Sequence, residues 1–121
     1  MAAIPASARF GIAPTAAAKL LALFEATPAL ERVWIYGSRA RGDHRVASDI
    51  DLAVDAPAMS AQDFLALAGR VEDLGLIYRV DILRLQDVAE DGLRARIERD
   101  KRVLWEPSRR WSGPSSGAAD A

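Results

Sequence analysis

The sequence predicts a small α/β domain of the α+β kind: one mixed sheet of three or four strands, with helices covering one of its faces. Three observations carry that expectation. Ser48 to Val54 alternates polar and apolar residues, the period of a half-buried strand. Two further runs rich in β-branched and aromatic residues, Val33 to Tyr36 and Tyr78 to Leu83, stand on either side of it. The stretches between them place apolar residues at helical spacing. The βαβα order would equally suit a doubly wound sheet, and order alone does not choose between the two.

The elements follow in chain order. Residues 1–13, rich in Ala and Pro, read as a partly flexible extension, residues 14–106 as the domain, and residues 107–121 as a tail. Thr15 to Ala26 is expected as the first helix, with Thr15 as N-cap and Leu20, Leu21 and Phe24 on one face. Thr27-Pro28 ends it, because proline disfavours helical geometry in the residue before it. Leu30 to Tyr36 is the first strand, and apolar residues of both parities there place Trp34 and Tyr36 in a core covered on both sides. Ala56-Pro57-Ala58 turns the chain. Ser60 and Asp63 then resemble a capping box ahead of Phe64, Leu67, Ala68, Val71 and Leu74, and Gly75 is placed to close that helix. Leu76 to Leu83 is the third strand, Val88 to Arg99 a second long helix and Val103 to Trp105 a short last strand. The tail, made mostly of Ser, Gly, Pro and Ala, is too poor in apolar residues to pack and is expected to be disordered.

Composition narrows the function classes. A chain of 121 residues, half of them hydrophobic, can bury roughly two-thirds of its unfolded surface and needs no covalent staple. The absence of cysteine excludes disulfides and thiolate metal sites. Sixteen basic residues against 17 acidic ones argue against a generic nucleic-acid binder, which carries a basic excess. No run approaches the ~20 apolar residues of a membrane span, and Glu25 interrupts Leu20 to Phe24 too soon for a secretory signal, so a cytoplasmic location is expected.

The chemistry concentrates between Gly37 and Val54, GSRARGDHRVASDIDLAV. Alternation from Ser48 turns Ile50, Leu52 and Val54 to a core and leaves Asp49 and Asp51 on the opposite face, roughly 6–7 Å apart at their α-carbons. Carboxylates at that spacing can converge on a pair of divalent ions about 3.5–4 Å apart, the separation used for in-line phosphoryl chemistry. The other end needs the opposite charge. A strand that stops at Gly37 and turns at Ser38 into a helix presents backbone N–H groups to an anion, and glycine lets a phosphate come close. Arg39, directly after Ser38, is expected to add a bidentate phosphate contact. Arg41, His44 and Arg45 can each be read as plain solvated charge. Phosphates at one end and metals at the other describe a nucleoside triphosphate site.

Gly37-Ser38, ten residues, then Asp49-x-Asp51 resembles the signature of the DNA polymerase β nucleotidyltransferase superfamily. The fuller stretch is most similar to its minimal nucleotidyltransferases, the group that includes MntA-type antitoxins, and the likeness spans roughly Leu20 to Trp105. In that family a third carboxylate comes from a later strand, here Asp81. The resemblance implies a palm-like fold and transfer of AMP from ATP. Asp49 and Asp51 would hold two Mg²⁺ ions, Asp81 would help bind the catalytic ion and activate the incoming hydroxyl, and Gly37 and Ser38 would hold the β and γ phosphates. It further implies a partner, a small helical HEPN-type toxin encoded nearby, with a tyrosine hydroxyl as acceptor. A binding-only antitoxin or regulatory subunit, and transfer to a small molecule, are the alternatives. An intact set of three carboxylates speaks for catalysis over binding alone.

Overall fold

The computed structural model describes residues 9–107, so the expectations for residues 1–8 and for the tail over 108–121 lie outside the described residues. Four strands form one mixed sheet: β1 (Arg32–Tyr36), β2 (Ile50–Asp55), β3 (Val80–Arg84) and β4 (Arg102–Trp105), in the order β3-β2-β1-β4. β1 runs antiparallel to both β2 and β4, while β2 and β3 are parallel. That parallel pair requires a crossover, supplied by the long helix α3 (Ala61–Asp73). The other helices are α1 (Pro14–Glu25), the single turn α2 (Ser38–Arg41) and α4 (Asp91–Asp100).

Alternation assigns the faces. Val33 and Ile35 of β1 and Ile50, Leu52 and Val54 of β2 are fully buried, and they pack with Leu20 and Phe24 of α1 and Leu67 and Val71 of α3. Phe24 lies against Trp105 of β4 with ring centroids 5.9 Å apart, and the Trp105 indole N–H donates to Glu25 at 2.9 Å. This aromatic corner ties the first helix to the last strand.

Several boundaries differ from expectation for local reasons. α1 is capped by Ala13 and has Pro14 in its first turn, so Thr15 lies inside it; proline fits there because its missing N–H would have no helical partner. β1 starts at Arg32, since a turn in which the Leu30 N–H donates to the Thr27 carbonyl at 3.1 Å comes first. α3 does carry the expected cap: the Ser60 side chain accepts from the Asp63 N–H at 3.0 Å, and Gly75, with φ 66°, follows its last turn. The chain leaves that glycine in an irregular link, and β3 begins only at Val80. A 3-10 turn over Leu85–Asp87 likewise delays α4 to Asp91.

Trp34 and Tyr36 are not in the main core. Both are only half-buried, on the side of β1 opposite Val33 and Ile35. That side has a covering of its own. The Lys101 ammonium, at the end of α4, sits 4.4 Å from the Trp34 ring centre, and Ile97 of α4 and Ala53 of β2 are both buried without belonging to the main cluster. α4 therefore shields the second face beside the carboxylates, while α1 and α3 cover the first.

Candidate active site

Strand register brings the carboxylates together. Asp51 is paired with Tyr36 across the antiparallel β1–β2 ladder and with Asp81 across the parallel β2–β3 ladder. Directly paired residues point to the same side, so Tyr36, Asp51 and Asp81 form a row over three strands spaced ~4.8 Å apart. Asp49 precedes β2 by one residue, where the Ile50 N–H donates to the Arg79 carbonyl at 2.9 Å and fixes the entry into the strand.

The Gly37 turn closes on this row. Gly37 has φ 77°, a conformation that disfavours any side chain, and a Cβ built there would stand 2.6 Å from Asp51 Oδ2. The Asp51 carboxylate thus rests against the backbone of the expected phosphate turn. Ser38 opens α2, and its carbonyl accepts from the Gly42 and Asp43 N–H groups at 2.9 and 3.1 Å. Its hydroxyl makes no hydrogen bond among the described residues.

Electrostatics mark the row as a site for positive charge. Burial first, then the charges of Asp81 and Asp49, raise the Asp51 carboxyl above its ordinary value, with Arg41 opposing them. The Tyr36 phenol is raised too, by burial and then by Asp51 and Asp81, with Arg96 opposing. Among the described residues no three such groups stand gathered as a ready-made cation cage. Like charges at this spacing repel, and Asp81 leans on Arg79 at 3.6 Å. The donors are nonetheless hard carboxylate oxygens on partly open side chains in a negative field, a set that suits Mg²⁺.

Arg39 is placed differently from its expected role. It is 1 % exposed, and its nitrogens donate to the carbonyls of Phe10, Gly11, Arg45, Val46 and Ser48. A guanidinium occupied in this way has each of its nitrogens committed to backbone carbonyls and none free for an anion. The physical reason lies in α2: residues two apart on a helix point to opposite sides, so Arg39 turns inward and Arg41 outward. Arg41 pairs with Asp43 at 3.2 Å and Asp100 at 3.1 Å. His44 is half-buried against Gly11, its Nδ1 without a hydrogen bond. Reading the sequence missed Tyr36 and Arg96. Tyr36 shares Asp51's face through antiparallel pairing, a signal available once β1 and β2 are taken as neighbours; nothing in the sequence brings Arg96 there.

A groove of about 490 Å³ runs between α3 and the free edge of β3, and it meets the carboxylate row only at Asp81.

The profile of a family described as "Polymerase beta, Nucleotidyltransferase" matches residues 18–110. No curated protein matches the chain. Among solved structures, a toxin-antitoxin complex with AMP-PNP is similar at 25% identity and TM-score 0.59, over 78% of this chain and 76% of that one. A nucleotidyltransferase from Sulfolobus solfataricus is similar at 28% identity and TM-score 0.51, over 88% of each chain. A complex of a tri-AMPylated Shewanella oneidensis HEPN toxin with its MNT antitoxin is similar in fold at 22% identity and TM-score 0.56, over 81% of this chain and 76% of that one.

Proposed function

The chain belongs to the polymerase beta nucleotidyltransferase family, and from that premise we propose that it transfers AMP from ATP to a tyrosine hydroxyl of a small helical HEPN-type toxin, acting as the antitoxin. One observation carries the chemistry: Asp51 stands between Asp81 on the next strand and the Gly37 backbone, so metal ligands and phosphate turn adjoin. The partner class rests on the similar complex that holds a toxin, an antitoxin and AMP-PNP.

Each residue then has a task. Asp49, Asp51 and Asp81 would hold Mg²⁺, which supplies charge neutralisation on the triphosphate and acidifies a bound hydroxyl. Gly37 offers its backbone, and Ser38 its N–H and hydroxyl, to the β and γ phosphates; the lack of a Cβ at Gly37 leaves room for both phosphate and the Asp51 carboxylate. Asp81 lies on the edge strand with about half of its side chain open, which leaves the acceptor's approach free. An acceptor hydroxyl placed beside Asp81 would pass its proton to that carboxylate, and its oxygen would bond to the α-phosphorus as the in-line bond from that phosphorus to the departing pyrophosphate breaks. Orientation contributes several kcal/mol to such a step, and a docked protein surface supplies it.

The test is to combine the chain with a small helical HEPN-type toxin, sought first among the products of the adjoining genes, with ATP and Mg²⁺, and to weigh both proteins intact. Addition of one or more adenylyl groups to the toxin, lost in Asp51→Asn, is the expected result. Tight binding and silencing of the toxin without a mass change would replace enzymatic transfer by occlusion.

A further inference from the structure

We infer that Arg39 is a positioning residue whose buried guanidinium locks the Asp49 loop, the 3-10 turn Arg9–Gly11 and the root of β3 into one frame. The inference deepens the proposed function and rests on its assignment of Asp49 and Asp81 as cation ligands.

The contacts are unusual for an arginine. Nε and Nη2 both donate to the Ser48 carbonyl, at 3.2 and 2.9 Å, and Nη2 also reaches the Val46 carbonyl at 3.2 Å. Nη1 donates to the Phe10 and Gly11 carbonyls at 2.8 and 3.1 Å. The guanidinium carbon lies 4.9 Å from the centre of the Tyr78 ring, and the Tyr78 hydroxyl in turn accepts from the Ala13 N–H at 2.8 Å. Among the described residues no carboxylate forms an ion pair with Arg39, although it is the largest of the fully buried side chains.

A buried charge without a counter-ion is expensive, and among the described residues carbonyl dipoles and one aromatic face are what offset it. The segments it gathers are the ones that deliver the site. Ser48 is the residue before Asp49, and Tyr78 stands three residues before Asp81. Arg39 itself follows Ser38. One side chain therefore sets the relative placement of the phosphate turn and two of the three carboxylates, from behind, without touching any of them. Lysine cannot replace it: an ammonium is a point donor, whereas these carbonyls converge on a planar fork from two sides. Gly11 belongs to the same frame, since a Cβ there would collide with His44 and come within 3.2 Å of Arg39 Nη1.

The experiment uses Arg39→Lys, which keeps the charge, in the full chain without a partner. Three quantities are read: Mn²⁺ affinity by electron paramagnetic resonance, affinity for AMP-PNP in metal-free buffer, and amide hydrogen exchange over residues 48–50 and 79–81. The expected result is a loss of Mn²⁺ affinity of about 10-fold or more, as for removal of groups that orient metal ligands. Exchange should speed up in both segments while metal-free nucleotide affinity stays as in the wild type. Unchanged Mn²⁺ affinity and exchange would overturn the inference. So would a loss of nucleotide affinity with Mn²⁺ binding intact, which would put the guanidinium on a phosphate after all. If Arg39→Lys does not fold, Tyr78→Phe, which drops the hydroxyl bonded to Ala13, and Tyr78→Leu, which also drops the ring beneath the guanidinium, are read the same way, and Tyr78→Leu beyond Tyr78→Phe should show smaller changes of the same sign. A wild-type chain that binds no Mn²⁺ would sink the proposed function instead, and the exchange data alone would then decide the role of Arg39.

Discussion

On the side of the sheet that meets α1 and α3, Val33, Ile35, Ile50, Leu52 and Val54 are wholly buried. One residue along in the same strands, Tyr36 and Asp51 stand half-buried beside the exposed Asp81. The first side gains from every atom removed from water. The second holds Asp51, whose proton affinity is raised by burial and then by the charges of Asp81 and Asp49, and it rests on a glycine at φ 77° and a buried guanidinium. The lesson is a division of labour at the period of the strand: in β2 Ile50, Leu52 and Val54 serve the main core while Asp51 faces the candidate site, so substitutions on the two sides should separate stability from chemistry.

The largest expected effect comes from the apolar side. Phe24→Ala removes a fully buried ring from the corner with Trp105 and should cost about 3–5 kcal/mol of stability. Chemical denaturation measures it, and the folded fraction should keep its transfer activity. If that activity falls with the ring, the two sides are coupled more tightly than the burial pattern implies.

Next in size is Asp51→Asn, expected to lower transfer by at least about 100-fold, more than is typical for a residue that merely supports a ligand. It should also raise the melting temperature at neutral pH without divalent ions. The sign follows from the raised carboxyl. The folded state holds a proton more tightly than the unfolded chain, so stability falls as pH climbs from the ordinary value of 3.8 through the raised one, and stays lower at pH 7. The advantage of asparagine should therefore shrink as pH is lowered and vanish below 3.8, where both states carry the proton. Melting scans across that range check it.

Gly37→Ala tests the seam between the two ends of the site. Its positive φ costs about 1–3 kcal/mol for a residue with a side chain, and the new methyl would displace the Asp51 carboxylate. Stability and transfer should both drop, the one substitution that breaks the separation. Smallest is Ser60→Ala, which removes the α3 cap for about 1 kcal/mol and should leave transfer untouched.

Much of this was legible in the sequence where a local rule had no rival. Strict alternation at Ser48 to Val54 located β2 and its two faces, and Ser60, Asp63 and Gly75 bounded α3 by hydrogen bonding and φ that their types favour. Reading failed where a long-range partner decided the outcome. Arg39 looked like a phosphate ligand because it follows Ser38, yet carbonyls up to 29 residues away claim it. Trp34 looked like core because both parities of β1 are apolar, yet its ring packs under Lys101 and Arg32. Arg96 reaches the field of Tyr36 only through the packing of α4, which no spacing encodes.

The most direct measurement is the affinity of the wild-type chain and of Asp51→Asn for AMP-PNP, each by calorimetry with Mg²⁺ and with a chelator. If the carboxylate row and the Gly37 turn form one metal-nucleotide site, Mg²⁺ should tighten binding to the wild type and leave Asp51→Asn unchanged. An equal gain from Mg²⁺ in both proteins, or none in either, would contradict it.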